Sequence, residues 1–303
     1  MKFTIGLAIC GIVVSAMMPA NADAQWSAKV TSSGAHKSAL NRARGGRAAA
    51  KGGIPNGYTG RATIGGKKVW GWYTKPTRRY AHGALGDTVE GGGLAVRVGS
   101  KRYDLTLPKT QVFEDLAPRI ADLNRDGIAD IITIRTNLSG GAAIAVYTIS
   151  GGKLKQLAAT KPIGRANRWL NIAGIADFTG DGRPDIVSVV KPHIQGTLEL
   201  HQLKGSKLRR TARAKGLSNH IYKSTELRLS AIADVNGDGV LDIIVPSFGQ
   251  QRLVAYSLRG KIKKLFDVAL SSPLNSPIGV ARSKGKPVFV FRDRAGKLIA
   301  VSN

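Results

Sequence analysis

Three nine-residue segments share an arrangement of oxygen-bearing side chains suited to holding a hard cation. They are Asp122-Leu-Asn-Arg-Asp-Gly-Ile-Ala-Asp130, Asp177-Phe-Thr-Gly-Asp-Gly-Arg-Pro-Asp185 and Asp234-Val-Asn-Gly-Asp-Gly-Val-Leu-Asp242. Side-chain oxygens recur at loop positions 1, 3, 5 and 9: Asp122, Asn124, Asp126 and Asp130; Asp177, Thr179, Asp181 and Asp185; Asp234, Asn236, Asp238 and Asp242. At position 7, Ile128, Arg183 and Val240 can each add a backbone carbonyl, and glycine at position 6 permits the sharp bend. Calcium is the cation that so many oxygens suit. A single such run is also an ordinary Asp/Gly turn, but the first aspartates are separated by 55 and 57 residues. A near-constant period marks a structural repeat.

The elements that present these loops are strands. After about residue 61 the chain runs in short apolar, β-branched pieces without a sustained helical period. Each metal-loop unit reads as four strands, with the loop joining the first to the second: 118–121, 131–135, 142–149 and 153–159; 172–176, 186–190, 197–203 and 207–212; 229–233, 243–246, 252–258 and 261–268. Two weaker units flank them. Upstream, 61–64, 68–72, 94–98 and 102–107 keep the order with Gly65-Gly66-Lys67 in place of the acidic loop. Downstream, 278–282, 288–292 and 298–301 have Ser283-Lys284-Gly285-Lys286 there. Five four-stranded antiparallel sheets, each too small to bury its own face, fit a closed radial array. The last has only three strands, so a segment from the N-terminal region is expected to complete it.

Residues 1–24 read as a signal peptide: Lys2, an apolar stretch from Phe3 to Met18, and a small-x-small site at Ala22-Asp23-Ala24. Ile9 before Cys10 does not fit a lipid-anchored signal, and the mature chain has no cysteine and so no disulfide. A periplasmic or secreted location follows, with no integral membrane span expected after cleavage. Residues 25–60 hold six basic residues and no acid among many Gly, Ala and Ser, which reads as a basic flexible arm. A short helix within 35–50 is weakened by Gly45 and Gly46.

Of 19 acidic residues, Asp23 leaves with the signal and nine of the rest lie in the three loops. Elsewhere the mature chain has 43 positive charges against 9 negative. Such a field favours an anionic glycan, lipopolysaccharide, anionic lipid or an acidic protein partner, and does not exclude nucleic acid. The basic residues at the starts of the fourth strands also have a plain structural use, because charge on an edge strand blocks edge-to-edge pairing.

The three D-x-[NT]-x-D-G-x-x-D segments, with their apolar lead-in and Ile/Val exit, resemble the FG-GAP and VCBS repeats of integrin-type β-propellers. The resemblance covers 61–303 and implies an all-β propeller of about five four-stranded blades, with calcium in the loop joining the first two strands of three of them. It carries over as ligands the twelve side chains named above. The chain is too short for the seven-bladed integrin form. His82-Gly-Ala-Leu-Gly-Asp87, Asn167-Arg-Trp-Leu-Asn171 and Ser218-Asn-His220 are also similar to exported bacterial VCBS-repeat proteins, a likeness that supplies no activity.

Strand order assigns loops to faces. With the metal loops on one face, the two-to-three and four-to-one connections share the other, which gathers His82, Arg165, Arg168, His193 and His220. Eight residues before each first aspartate stand Glu114, Trp169 and Glu226, expected to ring a channel mouth. No nucleophile elbow, zinc spacing or phosphate-cradling loop is present. The reading is a non-catalytic, calcium-binding scaffold at the bacterial cell envelope that engages an anionic or glycan partner. The alternative is a propeller enzyme acting on polysaccharide, lyase-like or glycoside hydrolase-like, with Glu114 and Glu226 as an acid/base pair and histidines beside them.

Overall fold

Strand residues alternate between the two faces of a sheet, and in this chain both faces are apolar, so each sheet needs a neighbour on either side. Ile131 points into one core while Ile132 and Ile134 enter the next; Ile186 and Val187, Ile243 and Ile244, and Phe289 and Val290 divide in the same way. Period-two alternation thus links successive sheets into one array.

The structure is a computed structural model describing residues 25–303. The expected signal peptide lies outside the described residues. A strand β1 (Ser27–Val30) and a helix α1 (Gly34–Arg44) precede the first sheet, β2 (Gly60–Ile64), β3 (Lys67–Thr77), β4 (Glu90–Val98) and β5 (Lys101–Thr106). A short β6 (Gln111–Phe113) pairs with β4 and with the second sheet, which comprises β7 (Arg119–Ala121), β8 (Asp130–Asn137), β9 (Gly141–Ser150) and β10 (Lys153–Ala159). The third sheet is β11 (Leu170–Ala176), β12 (Asp185–Val190), β13 (Thr197–Lys204) and β14 (Lys207–Lys215); the fourth is β15 (Ala231–Ala233), β16 (Asp242–Pro246), β17 (Arg252–Ser257) and β18 (Lys263–Ala269). β19 (Gly279–Ser283), β20 (Lys286–Arg292) and β21 (Leu298–Ser302) form the fifth, which β1 completes. β1 lies antiparallel to β21, with Ser27 opposite Ser302 and Val30 opposite Ile299. First strands contact first strands (β2 with β7, β11 with β15, β15 with β19), and outer strands contact outer strands (β5 with β10, β10 with β14, β18 with β1). The sheets are the blades of a propeller.

The stretch 25–60 is not the flexible arm its composition suggests. Trp26 stacks on Phe266 at 4.3 Å between ring centroids, tying β1 to the fourth blade as well as the fifth. α1 then covers the outer face of the fifth blade, burying Ala39 and Leu40 against Ala281, Val288, Val290, Leu298 and Ala300. The approach is close enough that a β-carbon on Gly279 would meet the Ala39 carbonyl oxygen at 2.7 Å. Helix α1 stops at Arg44, with Gly45 as its C-cap, and Ile54 packs into the core shared by the first two blades. A sheet face left without a sixth blade must be covered by something apolar, and that need overrides the polar, charge-rich average of the segment.

Candidate functional site

In each of the three acidic loops, position 6 adopts the left-handed backbone that glycine tolerates: Gly127 at φ 77°, Gly182 at 85°, Gly239 at 80°. Position 4 is also left-handed, with Gly180 and Gly237 in two loops but Arg125, at φ 59°, in the first. The turn brings backbone N–H groups onto the first aspartate. Asp122 accepts from Asp126 and Gly127 at 3.0 and 2.9 Å, Asp177 from Gly180 and Gly182 at 2.7 Å each, and Asp234 from Gly237 and Gly239 at 2.7 and 2.9 Å. The position-9 carboxylates each accept from the N–H at position 2, Asp130 from Leu123, Asp185 from Phe178 and Asp242 from Val235.

Among the described residues no three His, Asp or Glu side chains stand together at metal-ligand spacing. Among the described residues no carboxylate of the first loop has a positive partner, while Asp238 of the third stands 3.7 Å from Arg259. Oδ1 of Asp242 is buried without a hydrogen bond. Burial, assisted by the charges of the other two loop aspartates, pushes Asp130 up to about 7 and Asp242 up to about 6. The chemistry of the first and third loops fits calcium. The middle loop differs: the Gln202 side-chain amide on β13 donates to Asp185 Oδ1 at 3.0 Å, Thr179 Oγ1 at 3.3 Å and Asp181 Oδ2 at 3.4 Å. Lys204 stands 3.6 Å from Asp181. A protein donor already lies among the oxygens a cation would take.

On the opposite face, four connections meet around a cleft of about 490 Å³. His82 comes from the β3–β4 connection, Asn167, Arg168 and Trp169 from β10–β11, Lys191, His193 and Ile194 from β12–β13, and Tyr222 from β14–β15. Trp169 is 2% exposed, and its indole N–H donates to the Glu114 carbonyl at 2.9 Å. His193 stacks nearly parallel on it, with ring centroids 5.8 Å apart.

Each of the two cleft histidines is held from behind. His82 Nδ1 lies within hydrogen-bond reach of Glu114 Oε1, at 2.5 Å, while the other Glu114 oxygen accepts from Thr136 Oγ1 at 2.7 Å. Burial raises the Glu114 pKa, with the His82 and Thr136 bonds opposing it. His220 Nε2 lies 2.9 Å from the Ser224 carbonyl and must donate to it, which leaves its Nδ1 to accept from His193 Nε2 at 2.8 Å. The unprotonated nitrogen of His193 is therefore Nδ1. Burial lowers His193 to about 4 and His220 to about 3, so both rings are neutral at neutral pH. Beneath lies a buried polar layer: Tyr73 donates to Asp115 at 2.9 Å, and Arg119 pairs with the same carboxylate.

Of the residues expected on this face, His82, Arg168, Trp169 and His193 line the cleft, with Glu114 behind His82 and His220 behind His193. Arg165 is exposed and outside the lining. Glu226 is elsewhere, in ion pairs of 2.8 Å with Arg47 and Arg228. Burial would raise its pKa, but the Arg228 bond and the charges of Arg228 and Arg47 hold it below the usual range. Glu114, Trp169 and Glu226 therefore do not ring an open mouth, and the two glutamates do not form an acid/base pair. Residue 47, in the covering segment, claims one of them. The sequence reading missed Lys191, Ile194 and Tyr222; Lys191 stands two residues before His193, which was the available signal.

The FG-GAP-like repeat matches this chain over residues 122–188. No curated protein matches it in sequence. Similar solved structures include the rhamnogalacturonan lyase YesW, with 16% identity, 79% of this chain and 49% of that chain covered, and a TM-score of 0.46. An endo-arabinase from Bacteroides thetaiotaomicron gives 11%, 80%, 92% and 0.43, and an auxiliary nutrient binding protein from the same organism gives 9%, 81%, 59% and 0.42. The chain spans about half the length of the lyase structures it resembles. The chain is a β-propeller of four-stranded antiparallel blades, the first two joined through β6, that matches an FG-GAP-like repeat at residues 122–188 and repeats the same loop at 234–242.

Proposed function

We propose that this protein is an exported, calcium-stabilised propeller acting as a non-catalytic binding module for an anionic glycan at the bacterial cell envelope. The observation behind this reading is the composition of the cleft: Arg168 and Lys191 line it with two histidines, Trp169, Ile194 and Tyr222, and no carboxylate lines it. Cations meet acidic groups, histidine ring nitrogens exchange hydrogen bonds with hydroxyls, and the aromatic and aliphatic faces take the apolar side of a sugar ring. Calcium would be held by the first and third loops, where its part is to neutralise the aspartates and stiffen the opposite face.

The test is titration of the mature protein with acidic disaccharides, with and without calcium. Arg168→Ala and Lys191→Ala should each weaken binding by roughly ten-fold, as expected for loss of one charge-assisted contact. Equal affinity for a neutral disaccharide would sink the reading. One observation favours a second, enzymatic reading: His82 is oriented by a buried carboxylate, the arrangement of a general base. Release of cleaved products from an acidic polysaccharide, abolished in His82→Ala, would establish it.

A further inference from the structure

A second groove, of about 680 Å³, opens between the second and third blades. Its floor is apolar, with Ile144, Leu170, Val190 and Leu208. Its walls are basic, with Lys161 from the β10–β11 connection, Lys191, and Lys207, Arg209, Arg213 and Lys215 from β14. The one acid in the lining, Glu199, is taken by Arg210 at 2.8 Å. None of the six wall cations has a carboxylate partner among the described residues. His201, 6% exposed, also lines the groove, and its buried Nδ1 has no hydrogen-bond partner.

Protection of an exposed edge does not account for this pattern. The outer strands of the first and fourth blades are also basic, yet there Asp104 holds Arg102, and Asp267 holds Lys264 and Arg252. β14 contains no acid at all. The groove also meets the cleft, because Lys191 lines both.

We propose that a linear acidic glycan occupies the cleft and continues past Lys191 along this groove, its carboxylate or sulfate groups meeting Lys161, Arg209, Arg213 and Lys215. The proposal rests on the reading of the cleft as an anionic-sugar site and extends it to a polymer. Single-stranded nucleic acid would need aromatic platforms for its bases, and no Phe, Tyr or Trp lines the groove. Sugar rings need only the aliphatic floor.

The experiment measures affinity of the calcium-loaded mature protein for size-fractionated heparin oligosaccharides, from disaccharide to about twelve sugars, at about 0.15 M salt. Affinity should rise with length in the wild type. Arg209→Glu with Arg213→Glu should remove that gain by roughly 100-fold while leaving disaccharide affinity unchanged, and Arg209→Gln with Arg213→Gln should do so partially. Lys261→Glu with Lys263→Glu, on the fourth blade, should change nothing. A length gain that survives the β14 reversals, or one lost equally in the fourth-blade control, would overturn the proposal. So would tighter, β14-dependent binding of an oligonucleotide of equal charge. If long oligosaccharides bind through β14 while the disaccharide has no affinity, the groove stands and the cleft reading fails.

Discussion

His193 donates from Nε2 to Nδ1 of His220 across 2.8 Å, and His220 donates onward to the Ser224 carbonyl, so protonation of His220 at Nδ1 would break the bond between the rings. Both folded-state pKa values lie below the ordinary 6.5, at about 4 and about 3, burial being the main cause and each ring's histidine neighbour adding to it. A depressed value means the unfolded chain binds protons first. The stability these rings confer is therefore complete above pH 6.5 and falls as the pH drops toward about 4, by up to about 1.4 kcal/mol per pH unit for each ring. Urea unfolding across this window should show the slope, and His220→Gln should reduce it. Because the raised carboxylates act with the opposite sign in the same window, the difference between variant and wild type is the readout: a His220→Gln variant with the same pH slope as the wild type would refute the linkage.

Glu90, at the start of β4, is 2% exposed, and burial, with the charges of Glu114, Asp87 and Asp115, pushes it up to about 9. Here the sign reverses. The folded state keeps a proton that the unfolded chain releases above about 4.5, so this residue costs stability as the pH rises toward 9. Glu90→Gln should be near neutral in effect at about pH 5 and stabilising at about pH 8, with a difference of at most roughly 1.4 kcal/mol per pH unit. An equal effect at both pH values would contradict it.

Removing calcium should lower the melting temperature, because two loop carboxylates at ~4 Å repel by about 1 to 4 kcal/mol when nothing lies between them. Calorimetry should rank the loops. Asp177→Ala should cost the least binding, since Thr179 is a poorer donor than Asn124 or Asn236 and Gln202 already donates into that loop. Gln202→Ala should raise the affinity of the middle loop. Loss of the tightest binding event with Asp177→Ala would reverse the ranking.

Deleting residues 25–60 should destabilise the whole propeller, not merely weaken polyanion binding. The deletion strips β1 from β21 and α1 from Val288 and Val290. A milder variant, Trp26→Ala, loses the stacks on Phe266 and Phe289 and should cost about 2 to 3 kcal/mol. Thermal unfolding of both variants is the measurement; a deletion variant melting with the wild type would show the covering segment to be dispensable.

Much of this architecture is written locally. Nine residues suffice for each acidic loop because Asp, Asn and Gly act on the backbone within one turn, and the β-branched runs after Asp130, Asp185 and Asp242 enter strands at that point. The need for an N-terminal strand in the last blade was also legible, as a missing fourth strand. Composition misled for 25–60, because averaging over a charged segment hides the few apolar residues, Trp26, Ala39, Leu40 and Ile54, that do the packing. Glu226 looked like Glu114 by register, yet one is paired with Arg47 and the other with His82. Its partner lies 179 residues upstream, and only the packing of the covering segment back onto the blades brings the two together. The sequence by itself determined the loops, the strands and the face each connection occupies, since these follow from short-range backbone chemistry. The tertiary structure decided which of those connections touch, because pairings such as His193 with His220 and the convergence of cleft and groove at Lys191 depend on how whole blades pack.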